Sequence, residues 1–140
     1  MSKILILANH YNTLRIFRRE LIKKLAALGN EVIISVPPAE QEEIDRLESY
    51  GSKVILTDME RRGMNPLKDI SLLNRYKKLI RDVKPDLVVT YTIKPNIYGS
   101  MACKSCKIPH YWNVTGLGSA FMADGGLMRK LVSVMYKVSM

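Results

Sequence analysis

At 140 residues the chain is the size of one ordinary domain, long enough to bury a core without disulfides or metal. Hydrophobic residues make up 47% and charged residues 25%, which excludes a disordered chain. The 22 Lys and Arg against 13 Asp and Glu leave a formal charge of +9, which favours an anionic partner: nucleic acid, anionic lipid headgroups or a phosphorylated substrate.

The elements follow in a regular order. Ile4-Leu5-Ile6-Leu7-Ala8 is a continuous apolar run, as in a strand buried on both faces. Leu14, Phe17, Leu21, Leu25 and Leu28 then recur at helical spacing, and Gly29-Asn30 supplies the stop. Val32 to Val36 is a second strand, Glu40 to Tyr50 a short helix closed by Gly51, and Lys53 to Leu56 a third strand. Pro66 to Val83 holds a helix with Leu67, Ile70, Leu73, Tyr76, Leu79 and Ile80 on one face, ended ahead of Pro85. Leu87 to Tyr91 is a fourth strand, Pro95 to Cys106 a helix, His110 to Val114 a fifth strand, and Leu127 to Met140 a last helical segment. Five strand–helix alternations imply an α/β domain spanning residues 1–140, a parallel sheet with helices on both faces and strand order 3-2-1-4-5. The chain stops inside an apolar-periodic helix without a cap, so it is expected to be cut from a longer protein.

In such sheets ligands bind beyond the carboxyl ends of the strands. The loops there offer Asn9, His10 and Asn12 after strand 1, Arg61 and Arg62 after strand 3, Lys94 and Asn96 after strand 4, and Thr115, Gly116 and Gly118 after strand 5. One edge thus gathers amides, hydroxyls, glycines and three cations, a set suited to hydroxyls and phosphates; ordinary polar loops are the competing reading. His10 is a candidate general base or hydrogen-bond donor without a visible partner. The dinucleotide and P-loop glycine signatures are absent. Cys103-x-x-Cys106 has no second pair, and His10 and His110 fall at opposite strand ends, so the cysteines read as packing residues and no metal site is expected.

Basic residues cluster at Arg15-Arg18-Arg19-Lys23-Lys24, Arg61-Arg62, Lys77-Lys78-Arg81-Lys84 and Arg129-Lys130. The first and last groups flank apolar helix faces, as in a contact with an anionic membrane surface. A nucleic-acid-binding domain is a further reading that the charge permits, but 7% aromatic residues give no stacking array, and none is expected. The apolar start is too short for a signal peptide and no stretch approaches a membrane span, so the expected location is cytoplasmic.

Thr92-Ile93-Lys94-Pro95-Asn96-Ile97-Tyr98-Gly99 and Val114-Thr115-Gly116-Leu117-Gly118 resemble one branch of the family 4 glycosyltransferases, which assembles capsule, O-antigen and lipid-linked oligosaccharide. Phe17-Arg18 and Arg61-Arg62-Gly63-Met64-Asn65-Pro66 are similar to the same branch, and the likeness runs along essentially all 140 residues. It implies the GT-B architecture, here a three-layer Rossmann-like N-terminal domain that receives the acceptor. It also implies a missing C-terminal domain that binds the nucleotide-sugar donor and carries a Glu-x7-Glu motif. Asn9, His10, Asn12, Arg18, Arg61, Arg62, Lys94, Asn96, Thr115, Gly116 and Gly118 are then expected to bind substrate, with Lys94, Arg61 and Arg62 on phosphates of a polyprenyl-diphosphate acceptor or of the donor. Where many members carry a histidine after strand 5, this chain has Thr115, and no catalytic residue is assigned. The resemblance implies no metal and no cofactor beyond the sugar donor, and retention at the anomeric carbon. It also implies a domain held peripherally on the inner face of the cell membrane, inactive by itself. A naturally separate half that needs a donor-binding subunit is the alternative.

Overall fold

The computed structural model describes residues 2–59 and 66–113. Five parallel strands form one sheet: β1 (Lys3–Leu7), β2 (Glu31–Val36), β3 (Ser52–Leu56), β4 (Leu87–Tyr91) and β5 (His110–Asn113). Their order is β3-β2-β1-β4-β5, as the alternation predicts. β1 lies at the centre, with Leu5 opposite Ile33 on one side and Val88 on the other.

The apolar runs make sense once both faces are covered. Leu5, Leu7, Ile33 and Val88 pack under α4 (Pro66–Val83), α5 (Ser100–Cys106) and a π-helical turn at Pro95–Gly99, meeting Leu72, Tyr76, Ile80, Ile97 and Cys103. The alternate residues Ile4, Ile6, Val32, Ile34 and Val36 pack under α1 (Tyr11–Phe17), α2 (Arg19–Ala27) and α3 (Gln41–Glu48), meeting Tyr11, Leu14, Ile22 and Leu47. Each such side chain contributes about 1.5–3 kcal/mol when fully buried, so a sheet apolar on both faces is stable only as the middle of three layers.

Two helices differ from their predicted stripes. The expected single helix through Leu28 breaks at Arg18, whose φ of −126° and ψ of 8° end α1 and start α2. The inward stripe is Tyr11, Leu14, Arg18, Ile22 and Leu25, at spacings of three and four. Phe17 is consequently 68% exposed, and Leu21 and Leu28 also face outward. In α4 the inward stripe is Asp69, Leu72, Tyr76, Leu79 and Val83, which leaves Leu67 78% and Ile70 55% exposed. In both helices a charged residue holds a core-facing position, which shifts the apparent apolar face when only apolar residues are counted. The predicted final helix, Leu127 to Met140, lies outside the described residues.

Candidate functional site

Because all five strands run parallel, their carboxyl ends share one rim, and the connections leaving it carry the chemistry. At the centre β1 continues through Ala8, whose amide still bonds the Ser35 carbonyl of β2 at 3.0 Å. Asn9 follows with its Oδ1 buried and without a hydrogen-bond partner, a state that costs stability unless something donates to it. His10 caps α1: its Nδ1 accepts the Asn12 amide at 3.0 Å, which assigns the ring proton to Nε2 in the neutral form. Asn12 is exposed and its Oδ1 accepts from Arg15 Nε at 3.4 Å. A cavity of about 160 Å³ opens beside them, lined by His10, Tyr11, Pro37, Pro38, Ala39 and Glu43.

The break between α1 and α2 turns Arg18 toward the sheet. Its guanidinium lies 4.9 Å from the centroid of the Tyr91 ring, at the carboxyl end of β4. Burial pushes the Tyr91 phenol up, and the adjacent Arg18 opposes that rise. Arg18 is only partly buried, so the stack holds a cation in place at the rim without enclosing it.

Beyond β4 the connection turns inward. Thr92 adopts a φ of +72°, uncommon for a side chain branched at Cβ. Lys94 is 5% exposed, and its Nζ donates to Asp69 Oδ1 of α4 at 2.9 Å. The Tyr98 hydroxyl donates to the other oxygen, Oδ2, at 2.9 Å. Its phenol is pushed well up by burial and then by the Asp69 hydrogen bond and charge. Asn96 is buried too, its Oδ1 accepting from Thr90 Oγ1 at 2.7 Å. Gly99 lets this turn close on the sheet: a Cβ there would stand 2.8 Å from Leu7 Cδ1 and 2.9 Å from Thr90 Cγ2.

The structure therefore divides the predicted site residues. Asn9, His10 and Asn12 sit together at the centre of the rim, and Arg18 reaches it through Tyr91. Lys94 and Asn96 face the interior. The ammonium of Lys94, expected to meet phosphate directly, is engaged by a buried carboxylate instead. Arg61, Arg62, Thr115, Gly116 and Gly118 lie outside the described residues. Asp69, Tyr91 and Tyr98 were not anticipated from the sequence; the signal for Asp69 is its place in an apolar stripe. A second cavity of about 380 Å³ lies past β3, lined by Asp58, Met59, Lys68, Ser71 and Arg75. Among the described residues no three His, Cys, Asp or Glu side chains gather to hold a metal ion, and no helix is long and apolar enough to cross a membrane. Cys103 and Cys106 are free thiols, Cys103 buried.

Solved structures share this fold at low identity. CalG4, the calicheamicin glycosyltransferase, superposes with a TM-score of 0.61 at 15% identity, over 99% of this chain and 43% of its own. MurG of Acinetobacter baumannii gives 0.64 at 16%, over 98% and 40%. A deacetylase of teicoplanin biosynthesis gives 0.65 at 12%, over 99% and 84%, so this level of likeness establishes the Rossmann-like fold found in GT-B glycosyltransferases and not a chemistry. In sequence, the chain is 31% identical over 127 residues to N,N'-diacetylbacillosaminyl-diphospho-undecaprenol alpha-1,3-N-acetylgalactosaminyltransferase of Campylobacter jejuni subsp. jejuni serotype O:2. That match takes in 88% of this chain and 33% of the relative, so the chain spans about a third of the relative's length. The glycosyl transferase 4-like family signature matches residues 3–140, and the chain belongs to that family.

Proposed function

We propose that this chain is the acceptor-binding half of a glycosyltransferase that moves a sugar from a nucleotide-sugar to a polyprenyl-diphosphate-linked glycan in surface polysaccharide synthesis. The observation that carries the reading is the likeness to a transferase whose name specifies a diphospho-undecaprenol substrate, confined to a third of that protein. The rim supports it: Asn9 Oδ1 is an unpartnered acceptor suited to a sugar hydroxyl, and Arg18 is a preoriented cation suited to a phosphate. Donor binding is assigned to a further domain, with no metal or other cofactor supplied by this half. The +9 charge favours an anionic membrane surface, where a lipid-linked acceptor resides.

The test is to titrate the chain with farnesyl diphosphate, a short prenyl diphosphate, and separately to follow UDP-sugar consumption. Saturable binding of the first and no consumption of the second are expected. Robust turnover by the 140 residues alone would sink the two-half reading. The match to only part of the relative also suits a half that works with a donor-binding subunit on another polypeptide. The reading frame beyond Met140 separates the two: a stop there favours the split form, and a continuing frame with Glu-x7-Glu favours a single two-domain chain.

A further inference from the structure

Three unfavourable features fall within Thr92–Gly99. Thr92 has a left-handed backbone, Pro95–Gly99 form a π-helical turn, and Lys94 carries a buried charge. A connection from strand to helix at this rim requires none of them: β1 passes into α1 through an extended His10 cap. Strain, π-turns and buried ionic groups concentrate where a protein holds a functional geometry against relaxation.

The buried charge and the π-helical turn both meet one side chain from another element, and Thr92 lies two residues before the first of them. Asp69 stands on α4, in a position that its stripe would otherwise fill with an apolar residue. Its two oxygens accept from Lys94 and Tyr98, which lie on successive turns of the connection. One carboxylate thereby fixes both the entry and the body of the π-turn. A buried ion pair gives little stability over a well-packed apolar replacement, so packing alone does not account for it. What the pair leaves at the rim is Thr92 and Ile93, both partly exposed, next in sequence to the Tyr91 ring that carries Arg18.

We propose that Asp69 is a positioning residue: through Lys94 and Tyr98 it holds Thr92 in its left-handed conformation directly after Tyr91, so that Thr92 and the Arg18 stacked on Tyr91 together receive the diphosphate end of the acceptor. This rests on the acceptor-binding reading above. The test compares the unaltered chain with the double variant Asp69→Leu/Lys94→Met and with Tyr98→Phe, by thermal midpoint, by amide hydrogen exchange over 92–99 and by farnesyl diphosphate affinity. The double variant is expected to melt close to the unaltered chain, while its 92–99 amides exchange at least about tenfold faster and its affinity falls about tenfold. Tyr98→Phe moves both readouts in the same direction by less. A double variant with unchanged exchange and unchanged affinity overturns the proposal. If it does not fold, unchanged values in Tyr98→Phe do the same. Absence of farnesyl diphosphate binding by the unaltered chain defeats the acceptor reading and the diphosphate role together, and the exchange data then judge the hold on Thr92 by themselves.

Discussion

At the scale of single residues, the two charges that matter most near the rim are ones that helical periodicity hides. Arg18 and Asp69 occupy inward positions of otherwise apolar stripes, and counting only Leu, Ile and Phe rotates each helix away from its true face. The signal was present as a charged residue at spacing three and four within an apolar series. Lys94 shows the opposite failure: a lysine in a loop motif reads as available to ligand, and only coordinates reveal the carboxylate 2.9 Å away. Gly99, by contrast, has a purely steric role. Gly99→Ala forces a methyl into Leu7 and Thr90, and overpacking of this kind costs about 1–3 kcal/mol, to be read as a lower urea midpoint.

Cys103 gives a residue-scale prediction with a definite sign. Burial, and then neighbouring Cys106, push its thiol up from 9.0 to about 12. The unfolded chain therefore loses this proton near pH 9 while the folded chain keeps it until about pH 12. The unfolded state binds fewer protons across that window, so the contribution is full below pH 9 and is lost as pH rises. Buried Tyr76 and Tyr98 act in the same sense, but only above their ordinary value of 10.0. Urea midpoints between pH 9 and 10 should thus decline, and Cys103→Ala should flatten the decline. A midpoint that rises there contradicts the assignment.

At the scale of elements, β1, β2 and β4 were legible because burial in the middle of the sheet demands apolar runs, while the edge strands β3 and β5, with Leu56 44% and Tyr111 68% exposed, were legible from their place in the strand–helix alternation. The limits of α4 were legible too, since Pro66 and Pro85 bracket it. The division of α1 from α2 was not, because arginine is a good helix former and nothing local in the sequence marks Arg18 as a break. That break has an outward effect. Ile16 is 56% exposed and Phe17 68%, with Leu21 on α2, Leu28 just past its end and exposed Lys24 between them. Five cations and one carboxylate, Glu20, accompany these side chains between Tyr11 and Leu28. An apolar ridge set among cations suits insertion into an anionic bilayer surface. The chain should co-sediment with phosphatidylglycerol vesicles and not with phosphatidylcholine vesicles. Lys24→Gln should weaken that binding by about 1 kcal/mol, roughly fivefold, and Phe17→Glu should weaken it further. Equal binding to both vesicle types would remove the anionic charge from the reading, and binding to neither would remove the membrane.

At the scale of the whole molecule, β/α alternation narrowed the sheet to a few right-handed topologies, of which the expected order 3-2-1-4-5 is the one observed. The site was legible only as a rim. The sequence could say which loops meet there, but not which side chains turn outward, since that is decided by pairing across layers. The sheet separates the two cores so completely that their energetics should be independent. Ile22→Ala beneath α2 and Ile80→Ala beneath α4 each cost about 2–5 kcal/mol, and the double variant should show their sum to within about 0.5 kcal/mol. A larger coupling would mean that strain passes through β1.

The same partition bears on how such a protein can change. The ridge around Phe17 belongs to one layer and the Asp69 clasp to the other, with the central strand as a wall between them. Substitutions that retune the domain for a different lipid composition can accumulate on the first layer while the clasp stays as it is. Arg18 keeps to the first layer, stacked on Tyr91, and the chain step from Tyr91 to Thr92 is where the two histories meet.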